Sequence, residues 1–173
     1  GGEAEQLTSA KGGVETLAWS RDSQIIAFTV RDAWSEADEK KRKEGQDQTY
    51  VDHDYKFARL WVMGLSDRKP QQVTKQDLEI TGMAWSADSS ELALLASATP
   101  RADDRYWHTK LVVVRRETGE VVRTLSDHVG GELKWSPDGL SLAFVEFTPA
   151  LIATWLAVVP AAGGSTRYLL KDY

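Results

Sequence analysis

The sequence predicts an all-β fold, a partial β-propeller of about three four-stranded antiparallel blades plus one extra N-terminal strand, spanning residues 1–173. Three observations predict it: a Trp-Ser hairpin motif that occurs three times, a further pair of apolar runs after each occurrence, and a unit length of about 50 residues. The motif reads Leu17-Ala18-Trp19-Ser20-Arg21-Asp22-Ser23, then Met83-Ala84-Trp85-Ser86-Ala87-Asp88-Ser89, then Leu133-Lys134-Trp135-Ser136-Pro137-Asp138-Gly139. An apolar run follows each copy, Ile25 to Phe28, Leu92 to Leu95 and Leu142 to Val145, which reads as strand, tight turn, strand. In the third copy, Ser136, Pro137, Asp138 and Gly139 match successive positions of a type I turn.

Each hairpin is followed by a second strand pair: Arg59 to Leu65 with Gln71 to Thr74, Lys110 to Arg115 with Val121 to Leu125, and Thr154 to Val159 with Arg167 to Leu170. Turn-rich stretches such as Glu117-Thr118-Gly119-Glu120 join them. The blades then span 14–74, 80–126 and 131–170. The step from Trp19 to Trp85 exceeds that from Trp85 to Trp135, so the first blade holds an insertion, residues 31–56. Its most charged part begins at Ser35 with Asp38 three residues on, a capping pattern, and ends at Gly45. A short exposed helix is expected there. An apolar-Thr pair, Leu7-Thr8, precedes the first Trp as similar pairs precede the others, so residues 5–8 read as the outer strand of a preceding blade. Propellers close with about four to eight blades, so three blades leave two open faces, and self-association is expected.

Composition excludes several classes. Lys and Arg number 21 against 26 Asp and Glu, a net charge of -5, the wrong sign for a phosphate-binding face. Nucleic acid is therefore not an expected partner. No apolar run reaches the roughly 18 residues of a membrane helix, so no membrane partner is expected either. The N-terminus shows no export pattern, which places the cytoplasm ahead of a bacterial periplasm. Cysteine is absent, which removes disulfides, thiolate metal sites and cysteine catalysis and leaves the compartment open.

The hairpins, the charged excursion through Glu44-Gly45-Gln46-Asp47, the segment Tyr50-Val51-Asp52-His53-Asp54-Tyr55 and the strand Arg59-Leu60-Trp61-Val62 together resemble the propeller domain of the prolyl oligopeptidase family of serine peptidases. The likeness is strongest to its acylaminoacyl-peptidase and dipeptidyl-aminopeptidase branches. What the resemblance implies is a non-catalytic propeller that gates the access of peptide substrates to an α/β-hydrolase domain. That domain and the remaining propeller blades would be its partners in the parent chain. TolB-like propellers share the hairpin motif, and an interaction module of that kind is the alternative.

The chain's own residues supply no chemistry. A nucleophile elbow needs G-x-S-x-G between strand and helix; Gly163-Gly164-Ser165-Thr166-Arg167 fails at its last position. His53, His108 and His128 fall in separate loops, and Asp52-His53-Asp54 lacks the ligand number of a calcium loop. No catalytic residue, cofactor or metal is assigned. Trp19, Asp22, Trp85, Asp88, Trp135 and Asp138 occupy repeat-equivalent places and are read as structural, the tryptophans in blade-to-blade packing. Trp61 and Trp155 are read as core. Trp34, Arg105, Tyr106 and Trp107 lie in loops after a second strand and are the candidates for peptide or partner contact.

Overall fold

The computed structural model describes residues 2–45, 54–148 and 153–170. Twelve strands form three separate four-stranded antiparallel sheets. Blade 1 holds β1 (Val14–Trp19), β2 (Ile25–Arg31), β3 (Ala58–Gly64) and β4 (Pro70–Gln72), with helix α1 (Glu36–Lys43) between β2 and β3. Blade 2 holds β5 (Glu79–Trp85), β6 (Glu91–Ser97), β7 (Lys110–Arg115) and β8 (Val121–Ser126), with α2 (Ala102–Trp107) between β6 and β7. Blade 3 holds β9 (Val129–Trp135), β10 (Ser141–Phe147), β11 (Thr154–Pro160) and β12 (Arg167–Leu170). In each sheet the strands lie in chain order, the arrangement of a propeller blade. The three sheets do not close into a ring.

The Trp-Ser-x-Asp motif is a folding device used three times. Ser20, Ser86 and Ser136 each donate a hydroxyl to the aspartate two residues on, at 2.6, 2.7 and 2.5 Å. The same hydroxyls accept the N–H of Ile25, Glu91 and Ser141, where the second strand begins. The aspartates in turn accept the N–H of Gln24, Ser90 and Leu140. Two backbone donors at the exit of each turn thus find side-chain oxygens. The fourth turn position is left-handed, with φ of 58° at Ser23, 59° at Ser89 and 76° at Gly139. Gly139 adopts it without a Cβ penalty; the serines carry the strain.

Side-chain alternation along the strands gives each blade two apolar faces. Ala27 and Leu60 of blade 1 pack against Leu92, Leu94, Val112 and Trp85 of blade 2. On the other side of blade 2, Ala93, Leu95, Leu111 and Val113 meet Leu142, Phe144, Ala157 and Val159 of blade 3. The first seam also carries a charged clasp. Glu79 is 1% exposed, and its carboxylate accepts from Arg31 Nη2 at 2.8 Å and from the Ala58 N–H at 2.9 Å. Arg31 reaches Glu15 with its remaining edge, and the hydrogen bond to Glu15, with Glu79 behind it, holds the guanidinium pKa above its ordinary value. A buried carboxylate needs such pairing.

Two expectations are corrected and one stays an expectation. Residues 5–8 carry no strand here, and the preceding blade whose outer strand they were read as is not among the described residues. Instead Glu5 pairs with Arg68, and residues 8–12 run beside Phe28, Val30, Trp61 and Pro70 on the outer side of blade 1, enclosing an apolar cleft of about 370 Å³. Trp61 and Trp155 are half-buried rather than core; the Trp155 ring lies edge-on to Tyr168. Of the three repeat tryptophans, Trp85 packs into the seam and donates Nε1–H to Ala18 O at 3.1 Å. Trp135 packs against the second seam but donates to Gly139 O of its own hairpin. Trp19 stays 52% exposed, since no blade lies on its side. The expected exposed helix is present: Ser35 caps α1 by accepting the Asp38 N–H, and α1 buries no residue.

Candidate functional site

The first strand of each blade, β1, β5 and β9, is interrupted near its start. Register slips occur between Val14 and Leu17, between Ile80 and Gly82, and twice in β9 between Val129 and Leu133. An extra residue in one strand of a pair bends it and turns a side chain out of the ladder. In β9 this places Gly131 at φ 149° and Glu132 at φ 39°. The bulged stretches of the three strands face a shared cleft of about 580 Å³, into which Thr16, Thr81, Glu132 and Lys134 project from the strands.

Helix α2 forms the wall of this cleft through Arg105 and Tyr106. The segment was read as a loop; six residues of helix form there because polar groups at both ends hold it. Thr99 donates its hydroxyl to Asp104 at 2.5 Å and accepts the Arg101 N–H, and Thr109 donates to Arg105 O at 2.7 Å. Tyr106 contacts Trp107 and Phe147, each with ring centroids 6.5 Å apart. Phe147 in turn lies on Gly130, where a Cβ would come within 3.1 Å of its ring. The three aromatic rings therefore cross the seam from blade 2 to blade 3. Tyr106 remains 62% exposed, so this aromatic ladder presents surface as well as packing.

The four candidate contact residues separate into two groups. Arg105 and Tyr106 line the cleft, and Trp107 stands beside Tyr106 at its rim. Trp34 is engaged elsewhere: Arg42 of α1 and Lys56 each lie over its ring, at 5.0 and 5.2 Å from the centroid. Those cation–π contacts fasten the charged helix to the blade. A second, smaller cleft of about 430 Å³ opens at the other end of the first strands, where the hairpins of Trp19, Trp85 and Trp135 converge and Arg21 donates to Pro137 O across from blade 1 to blade 3.

Among the described residues the candidate hydrolytic and metal-binding groups of the sequence lie apart. Gly163-Gly164-Ser165 sits in the turn from β11 to β12, two antiparallel strands, where a nucleophile elbow would lead into a helix. Asp127 pairs with Lys110 at 3.4 Å. Among the described residues no group of three or more metal-type side chains converges. Asp52 and His53 lie outside the described residues. The hairpin carboxyls Asp22, Asp88 and Asp138 all titrate below the ordinary range because the serine hydroxyl first, and the next backbone N–H second, favour the charged form, and Asp38 at the start of α1 is lowered likewise by the Ser35 hydroxyl. The Arg31 clasp and the bulged residues Thr16, Thr81 and Glu132 escaped sequence reasoning. Glycines inside strands, Gly82 and the Gly130-Gly131 pair, were the signal that marks bulges.

Stacked four-stranded meanders with their first strands around a common cleft define a partial β-propeller. No protein-family model and no curated protein sequence matches the chain. Solved structures do. TolB from Acinetobacter baumannii matches with a TM-score of 0.64 at 15% identity, covering 96% of this chain and 34% of that one. A prolyl endopeptidase matches at 0.61 and 15%, covering 93% and 22%. The acylaminoacyl peptidase of Pyrococcus horikoshii matches at 0.57 and 16%, covering 91% and 25%. The chain thus has the fold of propellers found in both TolB and prolyl peptidases, and it spans about a third or less of those chains.

Proposed function

We propose that this chain is the non-catalytic propeller portion of a prolyl-oligopeptidase-like serine peptidase, admitting peptides to a hydrolase domain carried by the parent protein. The observation that carries the reading is the cleft at the bulged ends of β1, β5 and β9, with Arg105 and Tyr106 on a short helix at its wall. A cleft of about 580 Å³ has room for part of an extended peptide and none for a folded protein, while an exposed tyrosine and an arginine offer stacking and hydrogen bonds to whatever enters. Fluorescence anisotropy with labelled ten-residue peptides tests this: Tyr106→Ala and Arg105→Ala weaken binding several-fold, and a folded protein displaying the same sequence does not bind. Equal binding of the folded form, or affinity indifferent to both substitutions, refutes it.

The greater likeness to TolB favours a second reading, a TolB-like module for protein–protein interaction without an attached peptidase. Labelling of the natural full-length polypeptide by an active-serine reagent separates the two: labelling supports the peptidase, and its failure supports the interaction module.

A further inference from the structure

The charged residues lining the larger cleft are Arg105 from α2 and Glu132 and Lys134 from β9. Two cations against one carboxylate give its wall a positive balance, the reverse of the chain as a whole, whose net charge is -5. Other arginines of the blades are spent on carboxylates: Arg31 on Glu15 and Glu79, Arg59 on Asp32 and Asp77, Arg123 on Glu91. Arg105 is not, although acids stand close by. Asp103 and Asp104 precede it on α2, Asp104 being taken by the Thr99 hydroxyl, and Glu132 shares the cleft. Among the described residues no hydrogen bond or ion pair joins the Arg105 guanidinium or the Lys134 ammonium to any of these.

The base of this arginine is held in place. Its N–H donates to Arg101 O at 3.0 Å and its carbonyl accepts the Thr109 hydroxyl at 2.7 Å. The next residue, Tyr106, leans on Phe147 of blade 3, which in turn lies on Gly130. On the facing strand the bulge sets Glu132 at φ 39°, a left-handed conformation that a non-glycine residue adopts only under strain and that collects at ligand sites. Arg105, Tyr106, Phe147 and Glu132 all stand at the seam between blades 2 and 3, and both sides of that seam are described, so the site depends on neither outer blade face. We propose that this cleft binds a carboxylate group of the entering peptide, Arg105 gripping it with the two-pronged guanidinium and Lys134 adding a second positive charge. The planar fork of an arginine matches the two oxygens of a carboxylate, and the exposed Tyr106 ring offers a surface for the carbon chain that bears it. Glu132 on the same wall repels a second acid, so the site takes a single carboxylate rather than a polyanion. The inference deepens the peptide-admission reading and rests on it for the remainder of the ligand.

Fluorescence anisotropy with labelled peptides of otherwise neutral sequence tests it: one amidated at its C-terminus, one with a free C-terminal carboxylate, and one amidated but carrying a single internal glutamate. A carboxylate-bearing peptide is expected to bind about tenfold more tightly than the neutral amide, and a gain in one arm only says whether a chain end or an acidic side chain is the source. Since the chain is net negative, long-range attraction works against this preference, and a preference that is seen belongs to the cleft. Arg105→Gln is expected to bring the ratio of affinities close to one, and Arg105→Lys, which keeps the charge and loses the fork, to leave an intermediate ratio. Lys134→Gln lowers it part way, and Lys69→Gln, outside the cleft, leaves it unchanged. Arg105 and Lys134 are exposed, and a cooperative melt checks that each variant folds. Equal affinity for all the peptides, or a ratio that survives Arg105→Gln, overturns the proposal and leaves peptide admission standing; failure of every peptide to bind overturns both.

Discussion

Replacing Asp88 by alanine tests whether the Trp-Ser-x-Asp hairpin stabilises the blade or merely decorates it. The carboxylate accepts three hydrogen bonds, from Ser86 Oγ at 2.7 Å, Ser90 N at 3.1 Å and Ser90 Oγ at 2.8 Å. These lower its pKa from 3.8 to about 2, the Ser86 hydroxyl contributing most. A depression of that size corresponds to a ceiling of about 2.4 kcal/mol. Asp88 is largely open to solvent, which screens the interaction, so about 1 kcal/mol is the working figure. For a domain of this length that is a fall of about 2–4 °C in melting temperature. Because the folded-state pKa lies below the unfolded one, the contribution is complete above about pH 4 and is lost as pH falls through about 2. Thermal melts followed by circular dichroism at pH 7 should therefore show Asp88→Ala below wild type and Asp67→Ala close to it, since Asp67 accepts one long bond, from Lys69 N at 3.3 Å. Asp88→Asn keeps acceptor geometry but no charge, and should flatten the stability change between pH 4 and pH 2. Equal melting points for Asp88→Ala and Asp67→Ala, or an unchanged acid profile in Asp88→Asn, would refute the reasoning.

Other outcomes follow from the same geometry. Arg31→Ala leaves the Glu79 carboxylate buried with one backbone donor, and should cost about 3 kcal/mol by urea denaturation; Glu79→Gln in the same background should recover part of it. Asp138→Ala should also lower the melting temperature more than Asp67→Ala. Exchanging residues 35–48 for a Gly-Ser linker should leave the melting temperature nearly unchanged, because α1 buries nothing and a surface loop shortens at small entropic cost. The chain should neither turn over acyl-aminoacyl or dipeptidyl chromogenic substrates nor be labelled by an active-serine reagent; labelling at Ser165 would overturn the reading of its turn.

The blades were legible because the hairpin signal is local. Ser136, Asp138 and Gly139 carry their turn within four residues, and the alternating runs after them need no distant information. The same locality limits the reading of residues 5–8. An apolar-Thr pair marks a strand only when an edge exists to receive it, and that edge is a tertiary fact. Trp61 and Trp155 failed for a related reason, because tertiary placement decides burial: Trp61 faces the cleft beside residues 8–12, and Trp155, opposite Glu146 toward the start of β11, packs its ring only edge-on to Tyr168. The Arg31–Glu79 clasp joins residues 48 apart, with nothing in either neighbourhood to announce the other. The four candidate contact residues all fall in connections after a second strand, but only side-chain geometry divides Trp34, taken up by Arg42 and Lys56, from the three gathered at α2.

Likeness among the repeats is unevenly distributed along the blades. At the hairpin end the three copies agree bond for bond, because Ser20, Ser86 and Ser136 each close a turn that the sheet needs. At the opposite end all three first strands carry a register slip, but the connections after the second strand differ: blade 1 carries the insertion with α1 and blade 2 carries α2, while the described residues of blade 3 between Phe147 and Thr154 hold no helix. Antiparallel pairing places those three connections beside the starts of β1, β5 and β9, as Val14 opposite Val30, Glu79 opposite Ser97 and Val129 opposite Glu146 show. The bulges and the larger cleft lie at that same end. A repeat needs uniform turns to stack its blades, whereas its connections are free to differ at little energetic cost. Stacking is therefore served at the hairpin end, and the differences between the blades collect at the end where Arg105, Tyr106 and Trp107 stand on or beside α2.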